Sequence, residues 1–178
     1  DQSEKAGTLA ELYKKYLPGS QNIWNQYFSL ENPRPEISWS AKTPNLMLVP
    51  FMDPRNDVIK NFLITNIEDE FKWNNWNLRL KMLPQAAIHV EFQAGVTPHV
   101  NGAGGDTITM DANTPLTEWD VQWTIRHEFG HVLGFVDCYL EFYDVKEKAI
   151  INYQLDVDHL MCSRAGRMQQ SIFDTLKA

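Results

Sequence analysis

Apolar positions recur along this chain with two different periods, and the switches between them mark out its elements. Leu9, Leu12, Tyr13 and Tyr16 have helical spacing, and Pro18-Gly19 is expected to stop that helix. Residues 45–51 form a short, nearly unbroken apolar run, which reads as a buried strand. Asp53-Pro54 opens a helix near Arg55, since proline is tolerated in a first helical turn. In that helix Ile59, Phe62, Leu63, Ile67 and Phe71 fall on one face. The period then changes to two. Leu78, Leu80 and Met82 alternate with Arg79 and Lys81, and Ile88, Val90 and Phe92 with His89 and Glu91, predicting two half-exposed strands. Residues 96–101 and 107–110 read as further short strands around a glycine-rich turn at 101–105. Thr117 with Asp120 has the form of an N-cap and its partner. A long helix follows and ends at Gly134, a natural left-handed stop. After an irregular stretch, Met168, Ile172, Phe173 and Leu176 predict a C-terminal helix.

Strands that precede one long helix and are themselves short and closely spaced predict a mixed sheet backed by two helices, an α+β class. The 178 residues fit one domain with a real core. Residues 1–44, polar and rich in Asn, Ser and Pro, are expected to be an N-terminal extension packed on a domain of residues 45–178. Hydrophobic residues make up 43% and charged residues 22%, as in globular proteins. No apolar run reaches the length of a membrane span. The net charge is -7, and Lys and Arg are scattered rather than clustered. That excludes nucleic acid and anionic membrane surfaces as partners.

The chemistry concentrates on the long helix. His127-Glu128-Phe129-Gly130-His131 puts two imidazoles four residues apart, hence on one helix face, where both can meet one metal ion. Glu128 lies beside that ion and can act as a base towards an attacking water. A catalytic zinc needs a third protein ligand and an open position. Gly134 turns the chain just past the helix, and Asp137 lies three residues further on, so a sharp turn returns its carboxylate to the helix end. Glu141 and Asp144 are rival third ligands, and His89, His99 and His159 are open to the same role on chemistry alone. The bare five-residue motif occurs by chance in roughly one in a few hundred chains of this length; with Gly134 and Asp137 the odds fall to roughly one in tens of thousands.

The string H-E-x-x-H-x-x-G-x-x-D over residues 127–137 resembles the zinc signature of the metzincin peptidases. Most metzincins have His as third ligand. Asp in that place resembles the snapalysin group. Gly104-Gly105-Asp106-Thr107-Ile108-Thr109-Met110-Asp111 is similar to the strand that leads to the active helix in matrixin-type metzincins. The resemblance implies a zincin-like α+β fold: a mixed, mostly parallel twisted sheet of about five strands, a backing helix, an active-site helix, and a small C-terminal subdomain. The cleft would lie between residues 45–134 and 135–178. It implies that Met161 forms an apolar turn beneath the metal, and that Ser163 and Gly166 wall the pocket for the side chain after the cut. Ser163 stands where some metzincins carry a Tyr, leaving Tyr139, Tyr143 and Tyr153 as alternatives for an oxyanion partner. Cys138 follows Asp137 and Cys162 follows Met161, so convergence of those two residues on the metal implies a Cys138–Cys162 disulfide and an oxidising, secretory compartment.

The expectation is a secreted, monomeric metalloendopeptidase with one catalytic Zn2+, protein or peptide substrates, and Glu128 as general base. Ca2+ near Asp106 and Asp111 is a secondary expectation. The rival outside enzymology is an inactive, zinc-stabilised binding module of the same fold. Rivals within it are zincins that take a Glu or a distant Asp as third ligand, and these lack the Gly134–Asp137 spacing.

Overall fold

The computed structural model describes residues 7–27, 29–30 and 32–178, arranged as an α+β structure with mixed sheets. The first helix, α1 (Leu9–Tyr27), runs through Pro18-Gly19 instead of stopping there. Proline removes one backbone donor from a helix. Packing offsets that loss: the Tyr13 and Tyr16 rings lie 5.6 and 5.4 Å from those of Tyr153 and Phe142.

The apolar run becomes β2 (Leu46–Met52), with Met47, Val49 and Phe51 fully buried. It lies between β1 (Ser38–Trp39), antiparallel, and β4 (Trp76–Leu83), parallel, and β3 (Lys72–Trp73) adds an antiparallel edge to β4. The connecting helix α2 (Asp57–Leu63) starts two residues later than expected. Arg55 takes a positive φ of 52°, and the Asn56 side chain caps the helix by accepting from the Val58 and Ile59 N–H groups. The helix continues as a π-helical turn over Ile64–Glu68.

A second sheet has β7 (Thr107–Asp111) at its centre, parallel to β5 (His89–Gln93) and antiparallel to β6 (His99–Val100). The expected sheet of about five strands is therefore divided into sheets of four and three. The cause lies on β2, whose far edge is taken by β1 over its first half. Only its end meets the second sheet, through a 2.8 Å bond from the Met52 N–H to the Ile88 carbonyl.

The long helix α3 (Trp119–Val132) lays Ile125, Phe129 and Val132 on this core, with the Phe129 ring edge-on to Phe71 at 5.3 Å. It starts beyond Thr117 because a turn, closed from the Glu118 N–H to the Pro115 carbonyl, comes first; Glu118 occupies the N-cap without a side-chain bond. The stretch expected to be irregular holds an antiparallel hairpin, β8 (Tyr139–Asp144) with β9 (Ala149–Gln154). Its alternation was masked by aromatic and β-branched residues on both faces. The C-terminal helix α4 (Gln170–Lys177) buries Ile172 and Phe173 and stacks Phe173 on Trp76.

Candidate metal centre

α3 carries His127 and His131 on its buried side, one turn apart. Each ring is aimed by its Nδ1: that of His127 lies 3.1 Å from the Leu160 carbonyl, and that of His131 lies 2.8 Å from the Phe135 carbonyl. An imidazole that donates from Nδ1 presents a lone pair at Nε2, as metal-binding histidines do. Gly134 takes φ +99° and reverses the chain, and the Phe135 N–H closes on the Gly130 carbonyl at 3.1 Å. That reversal brings Asp137 back under the helix end. Its Oδ1 lies 3.0 Å from His127 Nε2 and 3.4 Å from His131 Nε2.

These three atoms are chemically mismatched without a cation. Asp137 Oδ1 is buried and has no hydrogen-bond partner, while both imidazole nitrogens facing it present lone pairs. A tetrahedral shell with bonds near 2.0–2.1 Å separates its ligand atoms by about 3.3 Å, close to the spacings found here. The group fits a zinc ion with an open position. Among the described residues, one other group of three potential ligands converges, Cys138, His159 and Cys162. There the cysteines form a disulfide across 24 residues, with Cα atoms 4.6 Å apart.

Electrostatics follow the geometry. Burial opposes ionisation of Asp137, yet with no cation between them the two imidazoles, when they carry protons on the nitrogens facing it, hold its pKa far below the usual carboxylate range. Burial likewise opposes protonation of His131, but Asp137 outweighs it and the pKa rises. Burial raises the pKa of Glu128, and both histidines partly offset this. Burial, with Asp137 nearby, pushes the Tyr139 hydroxyl up to about 12.

Beneath the helix, Met161 is fully buried. A Cβ at Gly130 would lie 2.2 Å from Met161 Sδ. Gly130, between the two histidines, is therefore what lets the thioether reach the helix backbone. A groove crosses the site. A cavity of about 400 Å³ opens on the side of Val100, Ala103 and Val136. Another of about 520 Å³ opens on the side of Trp123, Glu141 and Arg164. His127, Glu128, Pro98 and Tyr139 line both.

The remaining expected residues divide. Ser163 lines the groove, although its hydroxyl is engaged with the Val157 carbonyl and the Ala165 N–H. Gly166 does not line it. It lies against the backbone of His159, where a Cβ would come within 2.0 Å of the carbonyl oxygen. Of the three tyrosines, Tyr139 enters the groove, Tyr143 is exposed on the hairpin and Tyr153 packs on Tyr13. Glu141 and Asp144 are outside the converging ligand group and have partners of their own: Asn152 donates to Glu141, while Lys15 and Tyr16 donate to Asp144. His89 faces Glu91, His99 is exposed on the groove rim, and His159 is buried beside the disulfide.

The oxygens considered for calcium have donors from the chain itself. Arg34 donates to the Gly104 and Gly105 carbonyls at 2.7 and 2.9 Å and to the Asp106 carboxylate. Asp111 accepts from the Gly95 and Asn113 N–H groups and the Thr114 hydroxyl.

Gly130, Tyr139 and Trp123, whose ring stacks on His127 at 4.9 Å, are site residues that the motif alone does not indicate. A glycine inside a helix, where it costs about 1 kcal/mol relative to Ala, was the available signal for Gly130.

No protein-family model matches the chain, and no curated protein matches it. Among solved structures, that of myroilysin is similar with a TM-score of 0.36 and 17% sequence identity, over 54% of this chain and 52% of that one. The matched region thus spans about half of the myroilysin chain, and a likeness of that size decides nothing about fold or chemistry.

Proposed function

We propose that the chain is a secreted metalloendopeptidase of metzincin type, holding one zinc ion on His127, His131 and Asp137. The observation that carries this is the convergence of three lone-pair atoms within bonding range of one cation, beside a buried carboxylate in an open groove. Zinc held there would supply a Lewis acid for the scissile carbonyl and would acidify water.

Glu128 takes the proton of the attacking water and delivers it to the leaving amine. Its raised pKa suits both directions of transfer, because a base works best with a pKa near the working pH. The Tyr139 hydroxyl, kept protonated, is the donor available to negative charge growing on the carbonyl oxygen. Substrate would lie extended along β6, which pairs with β7 on one side only. The cleft between residues 45–134 and 135–178 would then receive protein or peptide. The Cys138–Cys162 disulfide supports action outside the cell, where such bonds persist.

A zinc-loaded peptide-library assay of the protein beside Glu128→Gln tests this. The variant should keep its zinc and lose turnover by roughly 10²- to 10⁴-fold. Equal turnover by both proteins would overturn the role of Glu128. No turnover by either would leave the inactive binding module as the better account.

A further inference from the structure

The hairpin β8–β9 has two unlike faces, because side chains alternate along a strand. Leu140, Phe142 and Tyr153 lie on the face that covers α1, through Gly19, Tyr16 and Tyr13 respectively. The cross-strand pairs Tyr139–Gln154 and Glu141–Asn152 lie on the other face, and all four residues line the 520 Å³ cavity beside the candidate metal centre. One wall of that cavity is therefore polar and built by the hairpin. Trp123 on α3, whose ring stacks on His127, also lines the cavity.

The charges in this cavity are unevenly compensated. Glu141 is exposed and accepts one hydrogen bond, 2.8 Å from the neutral Asn152 amide, and no cation among the described residues pairs with it. Arg164, the basic residue of the cavity lining, is already engaged: it lies 3.2 Å from Asp120 and its guanidinium sits over Trp123. Glu128 and Asp137 belong to the candidate metal centre. The carboxylate left over is Glu141, in a chain of net charge -7.

We infer that this cavity recognises a basic side chain of the substrate, Lys or Arg, at the position following the scissile bond, with Glu141 as its counter-ion. The inference rests on the peptidase reading for the direction in which substrate lies. The cavity has room for the side chain, and its charged end can meet Glu141 on the hairpin wall. An acidic residue at the same position would meet Glu141 as a like charge.

The test uses zinc-loaded protein and peptides that differ only in Lys, Gln or Glu after the cut. Two quantities are read: kcat/KM with cleavage positions by mass spectrometry, and Kd for matching peptides whose scissile amide is reduced and cannot be cut. Wild type should favour Lys over Glu by roughly tenfold, the scale expected of a partly solvated ion pair in a cleft. Glu141→Gln should shrink the preference to near parity, and Glu141→Lys should reverse it. Turnover with the same Lys/Glu ratio in all three proteins, or a wild type indifferent to the charge, overturns the inference and leaves the peptidase reading intact. Absence of turnover with a Lys preference retained in Kd and lost in Glu141→Gln defeats the peptidase reading and supports the cavity's role. Absence of both turnover and preference defeats the two together.

Discussion

The two halves of the candidate metal centre are built by different physics. His127 and His131 come together because they are one turn apart on α3, so their convergence is local and needs only the helix. Asp137 and Met161 come from the stretch beyond it. They are set by a left-handed glycine, a disulfide and the packing of a thioether against a glycine. The first half is robust to distant change, whereas the second is an assembly that separate perturbations can loosen while leaving the helix intact.

Removing the disulfide should give the largest effect on that second half. Cys138→Ser with Cys162→Ser is expected to cost about 3 kcal/mol, the loop-closure value for a separation of this size. Chemical denaturation of the variant beside the parent protein measures it. A loss below about 1 kcal/mol would mean that the turn holds without its cross-link.

Gly130→Ala comes next. Helix propensity alone favours Ala by about 1 kcal/mol, but the new methyl would meet Met161 Sδ in a fully packed site. A net loss of about 1–3 kcal/mol is expected from overpacking. The cost of Gly130→Ala/Met161→Ala should fall short of the summed costs of the two single variants by at least about 1 kcal/mol, because shortening Met161 removes the clash. Strict additivity in thermal or urea unfolding would show that the two residues do not meet.

The smallest effect is a dependence on pH. Burial of His159 lowers its pKa to about 4. The unfolded chain, with an ordinary value near 6.5, then binds the proton more readily than the folded one. His159 thus adds nothing against folding above about pH 6.5, and stability is lost as the pH falls from there towards 4. Between about pH 7 and pH 5 the loss should be on the order of 1–2 kcal/mol. His159→Gln should flatten that slope in unfolding curves taken across the range.

Most of the local structure was legible in the sequence, and the contrast between the two halves explains where legibility ended. The alternation of Leu78 and Leu80, the helical stripe through Phe62 and Ile67, and the spacing of His127 and His131 are all local, so periodicity finds them. Asp137 was accessible because Gly134 announces a turn. Pro18 misled because tertiary packing on the hairpin outweighed a helix breaker, and Thr117 misled because a Pro115 turn came first. The division of the sheet depends on which edge of β2 is already occupied, and a chain read one segment at a time does not contain that. The face of the hairpin that lines the groove, and Gly166 lying on the His159 backbone, are likewise products of long-range packing.

The central claim is that His127, His131 and Asp137 together hold one metal ion, and zinc titration of metal-free protein by competition with a chelator tests it most directly. The account predicts one tight zinc per chain, with affinity falling as acid protonates His131. His131→Ala and Asp137→Ala should each weaken zinc binding by about 100-fold or more, since even groups that only support metal ligands are worth 10- to 100-fold. Full wild-type affinity in Asp137→Ala would contradict it.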